Sequence, residues 1–151
     1  MPSEVARLAT EIRSAAGLEV WHGPALAGVL AGVTAQQAAA RPIVGGHTIR
    51  ELVRHLAVWS DVARRRLGGE VVMPSDAEDW PGGGDAAGWD QDVSRLIASY
   101  RALADAVAAA DDRLLDAETP GREHTNYEML HGTVQHAAYH AGQIQLLKKL
   151  V

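Results

Sequence analysis

Two stretches of this chain open with the same signature, and each commits the residues after it to a helix. "HTIRE" and "HTNYE" set Thr48 three residues before Glu51 and Thr125 three before Glu128. In that capping-box spacing a hydroxyl and a carboxylate satisfy two of the backbone donors that a helix start leaves unpaired. After the first, Ile49, Leu52, Val53, Leu56, Trp59, Val62 and Leu67 recur with the helical period until Gly68-Gly69. After the second, Met129, Leu130, Thr133, Ala137, His140, Ile144, Leu147 and Leu150 keep the same rhythm, and Lys148 and Lys149 suit a C-terminal turn.

A third apolar stripe, Val93, Leu96, Ile97, Tyr100, Leu103, Ala104 and Val107, predicts a long helix from about Trp89 to Leu115. The N-terminal part is less regular. Pro2-Ser3 can open a helix that Gly17 weakens and Gly23-Pro24 interrupts before "ALAGVLAGV" resumes the pattern, so this part reads as one kinked helix or two consecutive ones. "TAQQAAARPIVGG" reads as a connection, and "GGEVVMPSDAEDWPGGGDAAG", residues 68–88, as a long acidic loop of the kind that often serves function. Four helical segments, each with one apolar face, pack most simply as an all-α four-helix bundle in a single domain over residues 1–151. With no Phe and only 5% aromatics, the core must come from Leu, Val, Ile and Ala, which favours close-packed helices.

A formal net charge of −5 argues against nucleic acid as a partner, because binding its backbone needs clustered Lys and Arg. The one basic run, Arg64-Arg65-Arg66, falls at a helix C-terminus and is expected to face solvent there. The N-terminus resembles neither a signal peptide nor a spanning helix, so no membrane partner and a cytoplasmic location are the default expectations. The chain has no Cys, which removes disulfides, Cys-type zinc sites and a protein thiol nucleophile together. Any metal must be held by His and carboxylates.

Imidazole is concentrated where such a site needs it. "HGTVQHAAYHAGQIQLLKK" puts His136 and His140 four apart, one turn apart on one face, while His131 points elsewhere. Two such rings can aim at one point, and His55, three residues after Leu52 and four before Trp59, borders the core stripe of the facing helix. His55, His136 and His140 are therefore the candidate ligands, set against the reading that each is a core histidine hydrogen-bonded to a neighbour. A zincin protease needs a glutamate directly after the first histidine, where this chain has Ala137. A di-iron bundle needs paired Glu-x-x-His segments; "EVWH" and "EMLH" match formally, but Glu128 serves as a cap, His22 lies at the Gly-Pro break and the third long helix offers no glutamate.

"WHGP", "GGHTIRELVRHLAVW" and "QHAAYHAGQI", in this order, resemble the DinB-like (YfiT-type) metalloenzyme family over nearly the whole chain. The resemblance implies a four-helix bundle in which His55, His136 and His140 bind a divalent metal ion, commonly within a homodimer. The metal is zinc, nickel, iron or manganese as far as these ligands can say. It also implies a transferase or isomerase acting on a small-molecule substrate with a low-molecular-weight thiol such as mycothiol or bacillithiol; a non-catalytic metal-binding or stress-related module is the alternative.

Around these ligands the expectations are local. His22 either lines the mouth of the site or is a structural histidine, and the second reading is favoured. His47 orients the helix start at Thr48, and His131 either supports the ligands or faces solvent. Tyr139 donates a hydrogen bond or packs at a dimer contact, and Gln143, close to one turn beyond His140, is either a partner of that histidine or a boundary amide, with the second reading favoured. Trp59 is a core or pocket wall, and the loop flanked by Trp80 and Trp89 borders the cavity. No general base can be assigned.

Overall fold

The structure, a computed structural model, describes residues 1–82 and 88–151. It begins with Ser3, whose hydroxyl accepts from the Ala6 N–H at 3.4 Å to open α1 (Glu4–Ala15). The chain then turns through a short antiparallel hairpin, β1 (Glu19–Val20) with β2 (Gly23–Pro24), in which Gly23 takes φ +124°. Of the two N-terminal alternatives, one kinked helix or two consecutive ones, the second holds with a hairpin between them: α1 ends just before Gly17, and Gly23, followed by proline, cannot resume a helix at that φ. Two one-turn helices follow, α2 (Leu26–Leu30) and α3 (Ala35–Ala39). The second corrects the expectation of a plain connection: Thr34 and Gln37 form a third capping box, with Gln37 in place of the glutamate.

Thr48 opens α4 (Ile49–Leu67), its hydroxyl accepting from the Glu51 N–H at 3.1 Å while Glu51 accepts from the Thr48 N–H at 2.9 Å. The long acidic connection contains a single helical turn, α5 (Asp76–Asp79); its residues 83–87 lie outside the described residues. The third long helix, α6 (Trp89–Ala108), stops short of Leu115, and a separate turn, α7 (Arg113–Asp116), follows it. Two aspartates explain the break. Asp111 accepts from the Arg113 N–H at 2.9 Å, and Asp112 reaches across to accept from the N–H groups of Val5 and Glu4, capping α1 from outside. Thr125 opens α8 (Asn126–Leu147), which ends before the exposed Leu150 that the sequence placed in its stripe.

α4 packs on α6 and α8, and α1 packs on the same two, so the four long helices close a ring with α1 across from α4 and α6 across from α8. This is the expected all-α bundle. Leu8, Ile12, Leu56, Leu96, Tyr100, Leu103, Leu130 and Ile144 fill its centre with almost no exposed surface, each large aliphatic side chain stabilising it by about 1.5–3 kcal/mol. The hairpin is held tightly to α2: a Cβ on Gly28 would stand 1.9 Å from the Leu18 carbonyl oxygen. The basic run does not behave as one unit. Arg64 pairs with Asp61 and Arg65 with Glu70, each at 2.8 Å, whereas Arg66 is buried.

Candidate metal centre

α4 and α8 lie side by side, and the turn-spaced pair on α8 meets the single histidine on α4. His136 Nε2 stands 3.1 Å from His55 Nε2 and 2.9 Å from His140 Nε2. The three residues each offer one ligand atom, all within 4.8 Å of one another, and His55 and His140 are buried while His136 is half-buried. The geometry thus unites all three histidines that the spacing singled out.

The partners of the outer nitrogens fix what the inner ones can do. His55 Nδ1–H donates to Asp79, whose Oδ1 lies at 2.8 Å and whose carbonyl oxygen lies at 3.0 Å. His140 Nδ1–H donates to Gln143 Oε1 at 2.6 Å. A neutral imidazole carries one N–H, so Nε2 of both rings presents a lone pair to the shared point. His136 Nε2–H could bond only one of them, leaving the other contact lone pair against lone pair. A cation resolves this. Nitrogens about 2.0–2.1 Å from a tetrahedral ion stand roughly 3.3 Å apart, and the observed contacts fall a few tenths of an ångström inside that. The donor set therefore fits a divalent metal ion.

Burial acts on the same rings. It pushes His136 down to about 4, with the nearby His140 and His55 adding to the effect and Asp79 opposing it. His140 is lowered too, by burial first, against the opposing Gln143 hydrogen bond. Neutral rings are the form a metal needs.

Asp79 and Trp80 are the site residues that sequence reasoning missed in detail. Ser75 and Glu78 cap α5 in a fourth capping box, and its last residue, Asp79, accepts from both His55 and the Trp59 indole N–H. Trp80 is sandwiched between two imidazoles: its ring centroid lies 3.9 Å from that of His55 and 3.5 Å from that of His47, with interplanar angles of 5° and 2°. His47 therefore belongs to a three-ring stack as well as to the helix start, where it lies 3.4 Å from Glu51. The "SDAED" run was the available signal, since Ser three residues before Glu marks a turn that carries a carboxylate beside a tryptophan.

Gln143 is a direct partner of His140 rather than a boundary amide. Tyr139 is exposed, its ring 5.0 Å from that of His140. Trp89 is buried and donates to the Val33 carbonyl oxygen at 2.8 Å, away from the imidazoles. His131 takes no part in the cluster: it lies against Tyr127, 3.9 Å from Glu11. His22 is exposed on the hairpin and lines a separate cavity of about 550 Å³ between α1 and α8. Glu128 is held by Thr125, as the argument against a di-iron site requires.

The cluster opens on a cavity of about 540 Å³ walled by Trp59, Trp80 and Met129, with His55 and His136 at its edge and Arg66 also lining it. The loop does border the cavity, through Asp79 and Trp80. Residues 20–144 match the DinB superfamily. No curated protein and no solved structure matches the chain.

Proposed function

The chain belongs to the DinB superfamily, and from that premise, joined to the convergence of its imidazoles, we propose that His55, His136 and His140 hold a divalent metal ion for thiol chemistry. In this reading the protein is a transferase, or an isomerase, that brings a low-molecular-weight thiol such as mycothiol or bacillithiol to an electrophile. The observation that supports it most is the open cavity lined by His55 and His136 of the cluster; structural sites are closed by protein ligands, whereas catalytic ones keep a position free.

A bound divalent ion lowers the pKa of a thiol or water that reaches it, which gives a chain without cysteine a nucleophile at neutral pH. The protein's own groups prepare the place. Asp79 and Gln143 hold two of the rings with their lone pairs inward. Trp80 covers one face of His55 and excludes water from it, and Trp59 supplies a flat apolar wall. A non-catalytic metal module would use the same ligands but would have no need of the cavity.

Metal analysis of the purified protein tests the first half: the wild type retains a divalent ion and His136→Ala loses it, and equal, negligible metal in both would refute the site. Thiol consumption with a panel of electrophiles tests the second, and a loaded protein that never consumes thiol would leave only the binding module. We propose also that two copies pair through the outward face of α8, where Gln135, Ala138, Tyr139, Gly142 and Leu146 form an exposed, uncharged stripe.

A further inference from the structure

Arg66 is the one member of the basic run that turns inward, and it lines the same cavity as His55 and His136. It is only 4% exposed. No carboxylate pairs with it among the described residues: Nε and Nη2 both donate to the carbonyl oxygen of Val72, at 3.2 and 2.7 Å, and its Cζ stands 5.7 Å from the Trp59 ring centroid. A neutral donor would serve to hold the Val72 carbonyl. A guanidinium adds a full positive charge, and burying one without an opposite charge is costly.

A second cation raises that cost. Arg122 is close enough for its charge to act on Arg66, and together with burial it shifts the guanidinium below its ordinary value. Arg122 likewise has no ion-pair partner among the described residues. The two carboxylates lining this cavity are committed elsewhere, Asp79 to His55 and Trp59, and Glu128 to the Thr125 cap. The cavity thus holds at Arg66 a positive charge that no carboxylate among the described residues neutralises, and imidazole nitrogens at His55 and His136, with Trp59 between Arg66 and His55, its ring 6.3 Å from that of His55.

We propose that Arg66 is the anion anchor of this cavity, and that the small molecule taken up here carries a carboxylate which the guanidinium grips while the rest of it lies along Trp59 toward the histidines. The planar fork of arginine matches a carboxylate in two parallel hydrogen bonds. A single negative charge suits the site better than a phosphate dianion, because Asp79 and Glu128 already place negative charge on the walls. This assignment of substrate class rests on the metal-centred reading above, and it can be separated from it.

Isothermal titration of the protein as purified with mercaptohexanoate, its methyl ester, hexanoate and inorganic phosphate makes the separation. The acid is expected to bind at least tenfold more tightly than the ester, and Arg66→Gln to lose roughly a hundredfold for the acid while leaving the ester unchanged. Arg122→Gln, at a less buried position, is expected to lose several-fold, and it decides the matter together with the acid–ester comparison should Arg66→Gln fail to fold. Hexanoate, which has no thiol, binds more weakly than mercaptohexanoate but with the same dependence on Arg66 and none on His136→Ala. Equal binding of acid and ester, an Arg66→Gln variant that binds the acid as the wild type does, or phosphate binding above the acid would overturn the anchor. If mercaptohexanoate binds no better than hexanoate and His136→Ala changes neither, the metal reading fails while the anchor stands.

Discussion

At the scale of single residues, the candidate centre depends on what holds the outer nitrogens of His55 and His140. Asp79 is a positioning residue: its carboxylate fixes the tautomer of His55 from a separate element. Asp79→Asn should weaken metal affinity by about 10–100-fold with the fold intact, measured by competition against a chelator, since losing such a partner typically costs that much; unchanged affinity would make the contact incidental. The depressed His136 gives a second expectation. Its ring titrates near 6.5 when unfolded but only at about 4 in the folded chain. Between those values the unfolded state binds more protons, so the stability of the metal-free protein falls as pH drops through that window. Thermal melts across it should show the decline, and His136→Gln should flatten it. The three imidazoles were legible in the sequence because turn spacing on one helix and a stripe border on another are local facts. Asp79, Trp80 and Arg66 were not, because only the path of the connection after α4 brings the first two to the rings, and only that path gives Arg66 a carbonyl to face inward for.

Elements were readable in proportion to how far their own residues dictate them. The two capping boxes at Thr48 and Thr125 became helix starts, and the stripes behind them became the α4 and α8 core faces. The failures lie where short-range chemistry serves a distant partner: α6 ends early as Asp112 caps α1, and the segment leading into the hairpin is tied through its carbonyls to the start of α2. Leu18 accepts from the Ala25 N–H, and Gly17 from those of Ala27 and Gly28. Gly28 is therefore fixed by contact rather than by dihedral. Gly28→Ala must displace the hairpin and should cost about 1–3 kcal/mol or more in urea unfolding, as overpacking of a close contact does. A neutral result would mean that the hairpin moves aside freely.

For the whole molecule, the outward side of α8 carries an exposed stripe without charge, from Gln135 to Leu146. If the exposed stripe on α8 joins two copies, Tyr139→Glu should convert a dimer to a monomer in light scattering without lowering the melting temperature by more than about 1 kcal/mol implies; a wild type that is already monomeric would dispose of the pairing. No helix among the described residues is long and apolar enough to cross a membrane. The bundle also sets when the centre can exist at all. His55 and His136 are 81 positions apart in the chain, and α8 follows every other helix in the order of synthesis. A ribosome that has delivered α4 has made only one of the three donors, so if the proposed site holds an ion, loading would have to wait until α8 has emerged and docked, and a stalled product lacking α8 would compete for no metal there.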